Sequence, residues 1–170
     1  MPFNCKAPSW SPGKTVFVPG LRCVLKGHHV VVRVGSICCG FGGMELGLSM
    51  AGIRHNLAWW SDVDRSAITV MEAHTDAPNL GDVRSLSAPP SVDIVTAGFP
   101  CQPVSRAGRK RGSEDPRWII RDVCRVAREA NARWLLLENP VGILTTGDGV
   151  PMARVCEALA DQGFCRWEWL

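Results

Sequence analysis

The sequence predicts a doubly wound α/β fold with a mostly parallel sheet, and three observations carry the prediction. Short apolar runs recur at 30–37, 56–60, 92–97 and 133–138, segments of helical periodicity separate them, and a glycine-rich turn follows the first run. Residues 30–37 read as a strand buried on both faces. The turn Gly40-Phe41-Gly42-Gly43 then leads into a helix at 44–51, a second strand at 56–60 and a helix at 65–74. A short strand is expected near 81–84. The run 92–97, with Asp93 inside it, is the next buried parallel strand. In 116–130, Ile119, Ile120, Val123, Cys124 and Ala127 share one helical face and Arg121, Arg125 and Arg128 another. A strand at 133–138 follows, then a helix at 150–162 stopped by Gly163, and 164–170 begins a further strand. Residues 1–29 carry Pro2, Pro8, Pro12 and Pro19 with little periodicity and read as an irregular extension, which leaves 30–170 as the folded domain.

A chain of 170 residues with 46% hydrophobic and 21% charged content fits one globular domain. The eight cysteines are unevenly spaced, with Cys38 and Cys39 adjacent, which reads as reduced intracellular thiols rather than a disulfide framework. Cys5, Cys23, His28 and His29 match no usual zinc-ligand spacing, so no metal is expected. The amino terminus lacks the apolar core of a secretory signal, and no run approaches ~18 apolar residues, so the reading is a soluble cytoplasmic protein with no membrane partner. A formal net charge of +3 identifies no partner by itself. Its distribution says more, because Arg106, Arg109, Lys110 and Arg111 crowd one segment between Gly108 and Gly112 and its neighbours, a composition suited to neutralising phosphates.

Chemistry concentrates where strands end. Gly98-Phe99-Pro100-Cys101-Gln102-Pro103-Val104-Ser105 places a thiol between two prolines just beyond a buried strand. Proline fixes φ near −65°, so Cys101 is presented on a stiffened turn at the carboxyl edge of the sheet, where open α/β sheets bind ligands. The glycines at 40, 42 and 43 remove side chains where a cofactor backbone must approach. Asp62 follows about 20 residues later at the end of the second strand, placed to accept from ribose hydroxyls, a pairing that fits NAD or S-adenosylmethionine alike. Glu138, at the end of the strand after the one leading to Cys101, falls on the same edge.

The octapeptide closely resembles the Pro-Cys-Gln signature of DNA cytosine-5 methyltransferases, and other blocks of that family occur in the same order over roughly residues 31–145. These are Gly40-Phe41-Gly42-Gly43, Trp60-Ser61-Asp62-Val63-Asp64, Gly81-Asp82-Val83, Gly112-Ser113-Glu114-Asp115-Pro116-Arg117 and Glu138-Asn139. The resemblance implies a Rossmann-like S-adenosylmethionine-dependent methyltransferase fold, incomplete at its C-terminal edge. It places the cofactor on Gly40, Phe41, Gly42 and Gly43, with Asp62 on the ribose, Val63 beside the adenine, Asp82 and Val83 at the adenine edge, and Phe99 and Pro100 nearby. Cys101 and Glu138 become the catalytic pair. Gln102, Ser105, Arg106, Arg109, Lys110, Arg111 and Asn139 become contacts to substrate, double-stranded DNA. The implied reaction is addition of the Cys101 thiolate to carbon 6 of a flipped-out cytosine, with a protonated Glu138 on ring nitrogen 3 and methylation at carbon 5.

Several positions depart from the family pattern. Ser36, Ile37 and Cys38 stand where Asp-Leu-Phe is common, removing an aromatic surface and a carboxylate that partners a helix terminus; Cys38 reads as a small packing residue. Pro140 stands where the family usually has valine. The family's Gln-x-Arg-x-Arg block, target recognition domain and late returning helix have no match here, so methylation is expected to need a second polypeptide that carries them, and Trp167, Trp169 and Leu170 are expected to leave an apolar edge. Two alternatives stay open: a non-catalytic remnant or split subunit that still binds S-adenosylmethionine, and a nucleotide-binding module for NAD.

Overall fold

The computed structural model describes residues 31–100, 118–164 and 168. Four strands, β1 (Val32–Ile37), β2 (His55–Ser61), β3 (Ile94–Ala97) and β4 (Trp134–Leu137), form one sheet in the order β2-β1-β3-β4. Every pairing in it is parallel. The helices are α1 (Gly43–Met50), α2 (Arg65–His74), α3 (Ile120–Glu129), the short α4 (Gly142–Thr145) and α5 (Val150–Asp161). Chain order runs outward from β1 to β2, then crosses back to β3 on the other side of β1. The sheet therefore has its switch point between β1 and β3, the crevice where ligands bind in doubly wound folds.

Side-chain alternation along the strands divides the core in two. Ile37, Trp59, Val95 and Ala97 join Val123, Cys124, Ala127, Val155 and Leu159 from α3 and α5 in the larger cluster. Val32, Val34 and Ile94 pack with Leu48 of α1 in the smaller one. The sheet tolerates an irregularity at Gly35, where the β1–β2 register shifts. A Cβ there would lie 2.2 Å from the Trp59 ring, so the indole occupies the space that only glycine leaves. Trp59 also donates from Nε1 to the Pro90 carbonyl at 2.9 Å.

Local signals explain the helix ends. Asp64 caps α2 by accepting from the amides of Ser66 and Ala67. Gly149, with φ of 83°, precedes α5, and Gly163, with φ of 81°, follows it, as its stop position predicts. The apolar face expected of the 116–130 segment is buried along α3.

One expectation is corrected. Residues 81–84 form no strand: the Asp82 carboxylate accepts from the Arg84 amide and the Asp82 carbonyl from those of Ser85 and Leu86, which curls the segment into a turn. The Phe164 amide closes back on the Leu159 carbonyl at 3.0 Å beyond α5, and most of the strand expected at 164–170 lies outside the described residues. The short α4 and the 3₁₀ turn at Thr146–Gly149 were not legible in the sequence. The extension 1–29 and Trp167, Trp169 and Leu170 lie outside the described residues. No helix among the described residues is long and apolar enough to cross a membrane.

Candidate active site

The β1 end enters the crevice through a backbone that few residues adopt. Cys38, Gly40 and Gly42 have φ of 50°, 54° and 76°. Nothing lies within 4 Å of a Cβ built on Gly40 or Gly43, so the turn presents open backbone. Asp62, at the end of β2, holds the turn in place: its Oδ2 accepts from the Gly40 amide at 3.0 Å and from Cys39 Sγ at 3.9 Å, and its Oδ1 from the Asp64 amide at 2.9 Å. A carboxylate has about four acceptor positions, so ribose hydroxyls can still be received. Phe41 and Val63 stand exposed on either side of this carboxylate's loops, at 70% and 63%, and offer apolar surface to a flat ring.

Asp82 sits in the neighbouring loop, forked against the Arg84 guanidinium, and that pairing holds its carboxyl below the ordinary range. Val83 turns its side chain into the larger core instead of the crevice, and its carbonyl accepts from Arg125 at 3.0 Å. Arg125 also donates to the Leu86 carbonyl at 2.7 Å and is flanked by Asp122 and Glu129. The loop bearing Asp82 is thus stapled to α3.

On the other side of the switch point, β3 and β4 bring Gly98 and Glu138 together. The Glu138 amide donates to the Ala97 carbonyl at 3.0 Å, and a Cβ on Gly98 would lie 3.6 Å from Glu138 Oε2 and 3.7 Å from the Cys38 carbonyl. The ends of β1, β3 and β4 therefore converge on one glycine. Phe99 is buried and meets Trp118 edge to face at 5.7 Å. Asn139 donates from Nδ2 to the Phe99 carbonyl at 2.9 Å, so it braces the segment that leads through half-buried Pro100 to Cys101. Its Oδ1 is buried with no partner among the described residues. Cys101, Gln102, Ser105, Arg106, Arg109, Lys110 and Arg111 lie outside the described residues.

Two features were not read from the sequence. Glu45, in the first turn of α1, is buried, and Thr96 donates to its Oε1 at 2.6 Å while lying 3.1 Å from Ser36 Oγ. A buried carboxylate therefore stands beside Ser36 and Thr96, supplied by the helix and signalled only by an acid three residues after Gly42. Asn79 is the second. Its Oδ1 accepts from the amides of Gly81 at 2.9 Å and Asp62 at 3.3 Å, and its Nδ2 donates to the Asp62 carbonyl at 3.2 Å.

Cys38 and Cys39 are no nucleophiles in this setting. Burial first, and the Asp62 charge next, push both thiols up to about 12. Cys38 is half-buried, in keeping with a packing residue. Among the described residues no cluster of three or more His, Cys, Asp or Glu side chains forms a metal site; Cys5, Cys23, His28 and His29 lie outside them.

An open glycine turn after β1 and a carboxylate at the end of β2, set at this switch point, define a Rossmann-like fold, and the solved structure it resembles gives the class: a Rossmann-like methyltransferase fold. The solved Dnmt2 methyltransferase of S. pombe shares that fold with a TM-score of 0.53, at 20% identity, over 75% of this chain and 40% of that one. The family model for C-5 cytosine-specific DNA methylases matches residues 32–168, and the chain belongs to that family. Its relatives include the Type II methyltransferase M.Eco47II of Escherichia coli, 33% identical across 81% of this chain and 34% of the relative. M.NgoMIV of Neisseria gonorrhoeae is 33% identical across 79% of this chain and 44% of the relative. The chain spans about a third of the length of most of these curated relatives.

Proposed function

We propose that this chain is the cofactor-binding and catalytic portion of a DNA cytosine-5 methyltransferase, with 30–170 as a partial catalytic domain and 1–29 as an extension to it. The observation that supports this most is convergence. The glycine turn, Asp62, the Gly98–Pro100 segment leading to Cys101, and Glu138 all stand at one sheet edge around one crevice.

The residues present fit S-adenosylmethionine. The turn at Gly40–Gly43 leaves room for the methionine portion, Asp62 accepts from the ribose, Val63 offers apolar contact to the adenine, and the Asp82 loop meets its polar edge. When bound, the cofactor supplies an electrophilic methyl group. The Cys101 thiolate adds to carbon 6 of an extruded cytosine while Glu138 holds a proton at ring nitrogen 3, so the charge pushed into the ring is neutralised as it forms. Carbon 5 then takes the methyl group, its proton is removed by base, and the carbon–sulfur bond breaks to restore the thiolate. A free thiol has a pKa near 8.5, so Cys101 needs local cations, and Arg106, Arg109, Lys110 and Arg111 are the nearest in sequence. Gln102 and Ser105 follow Cys101 closely in sequence and contact DNA in this reading. Asn139 acts through the bond to Phe99, steadying the thiol's approach.

Double-stranded DNA is the substrate, and a polypeptide carrying a target recognition domain completes the activity. The test is a 5-fluorocytosine duplex, S-adenosylmethionine and the chain, with and without a polypeptide carrying the remainder of a relative. A covalent adduct that forms in the complemented mixture and disappears with Cys101→Ala supports the proposal. An adduct that survives Cys101→Ala, or no adduct in any mixture, overturns it. The chain alone is expected to transfer no detectable methyl to mixed-sequence DNA, because base extrusion costs a few kcal/mol that a short basic segment does not recover.

A further inference from the structure

Asp62 and Asp82 stand on separate loops, after β2 and before β3, yet in the proposed function they must address two ends of one nucleoside. Each loop has its own support. Asp62 is tied to the glycine turn, and the Asp82 loop is stapled to α3 by Arg125. Neither support fixes the distance between the carboxylates. The Asn79 side chain bridges them most fully: it takes the amide of Gly81, next to Asp82, and both the amide and the carbonyl of Asp62.

We infer that Asn79 is a specificity-positioning residue, a clamp that sets the ribose-reading and adenine-reading carboxylates at the spacing of an adenine nucleoside. Three contacts to main-chain groups are an unusual commitment for one amide, since side-chain amides in loops more often bond within their own turn. Asn79 spans 17 residues to Asp62. The main chain adds to the tie, because Leu80 donates to the Trp60 carbonyl at 2.7 Å and Trp60 donates to the Pro78 carbonyl at 3.0 Å, and a second side chain joins them, Ser61 Oγ donating to the Gly81 carbonyl at 2.6 Å. Apart from Ser61 this remainder is backbone pairing that any sequence can make. The Asn79 amide is the side chain that both donates to and accepts from Asp62 itself while it accepts from Gly81. Aspartate at this position would keep the acceptors for Gly81 and Asp62 and lose the donor to the Asp62 carbonyl.

The inference rests on the reading of Asp82 as the adenine-facing carboxylate. Its test compares calorimetric affinities for S-adenosylhomocysteine and its deaminated analogue S-inosylhomocysteine, which differ only at the edge read by the Asp82 loop. These are measured for the unaltered chain, Asn79→Asp, Asn79→Leu and Arg154→Gln, the last removing an ion pair to Glu157 on α5. The unaltered chain should prefer the adenosyl ligand. In Asn79→Leu that preference should fall about tenfold, in Asn79→Asp by less, and in Arg154→Gln it should stay within about twofold even if thermal unfolding shifts. A purely structural role would lower stability and leave the ratio unchanged, and that ratio, measured on folded Asn79→Leu or Asn79→Asp, would overturn the clamp. Should Asn79→Leu fail to fold, Asn79→Asp carries the comparison. A chain that binds both ligands equally before any substitution would instead sink the adenine reading of Asp82, and the clamp with it.

Discussion

The two sides of the switch crevice are built differently. On the β1–β2 side, the glycine turn, Asp62, Asn79 and the Asp82 loop hold one another through hydrogen bonds among described residues, and α3 reaches over with Arg125 to hold the last of them. On the β3–β4 side, Glu138 stands exposed at a strand end, and among the described residues an Asn139 bond and the Phe99–Trp118 contact hold the segment before Cys101. In the proposed function the difference follows the chemistry. A cofactor of fixed shape is served by a preformed cradle, while a base that must enter from a duplex is met by an exposed group such as Glu138.

The comparison is sharpest at Glu138. Its side chain bonds nothing on the cofactor side among the described residues, so Glu138→Gln should lower methyl transfer by the complemented protein by about 10²–10⁴-fold. Cofactor affinity should stay within about twofold. A parallel loss of S-adenosylmethionine binding would show that the two sides are not separable.

The converse test is Asp62→Ala. In the proposed function the carboxylate receives the ribose while it holds the Gly40 amide, so its removal should weaken S-adenosylmethionine binding by about 1.5–3 kcal/mol. Asp62→Asn, which keeps an acceptor, should recover part of this. Calorimetry showing NAD bound and S-adenosylmethionine ignored would overturn the cofactor assignment.

Arg125→Gln removes a half-buried guanidinium that donates to the carbonyls of Val83 and Leu86, so unfolding free energy should fall by about 1–3 kcal/mol. Hydrogen exchange should quicken locally at Ala88, whose amide donates to Glu129 beside Arg125, before it quickens in β1. Uniform loss of protection across the sheet would mean that the loop and the core are one cooperative unit.

The strands and helices were legible because burial on both faces of a parallel sheet writes itself as continuous apolar runs such as Val92 to Ala97. The strand-end placement of Asp62 and Glu138 was legible because the apolar runs before them stop there, at Ser61 and Leu137. What escaped notice were contacts made by ordinary residues at long sequence separation. Asn79 resembles any loop asparagine until Asp62 is beside it, Glu45 resembles a first-turn helix acid until Thr96 and Ser36 meet it, and Val83 lay in a motif yet faces the core. The turn at 81–84 was misread as a strand although it holds one inward apolar residue, Val83, and no alternating ladder.

The smallest expected effect is a pH dependence that also divides the two sides. Cys38, Cys39 and Cys124 are all pushed up to about 12, Cys124 by burial alone and the other two by burial together with the Asp62 charge. In the unfolded chain these thiols ionise near pH 8.5–9, whereas the folded chain keeps their protons until about 12. The folded state then binds more protons than the unfolded one, so stability is full below about pH 9 and falls as pH rises beyond it. The chain contains no tyrosine, which leaves thiols and lysines as the side chains titrating there. Denaturant unfolding under reductant at pH 8, 9 and 10 should show the decline, and Cys124→Ala should lessen it. Asp62→Asn should also lessen it, since it removes the charge that opposes ionisation of Cys38 and Cys39, but it should leave the Cys124 contribution untouched. A decline that is insensitive to Asp62→Asn would mean that burial alone governs the thiols of the glycine turn, and that Asp62 holds this turn by hydrogen bonding without setting its electrostatics.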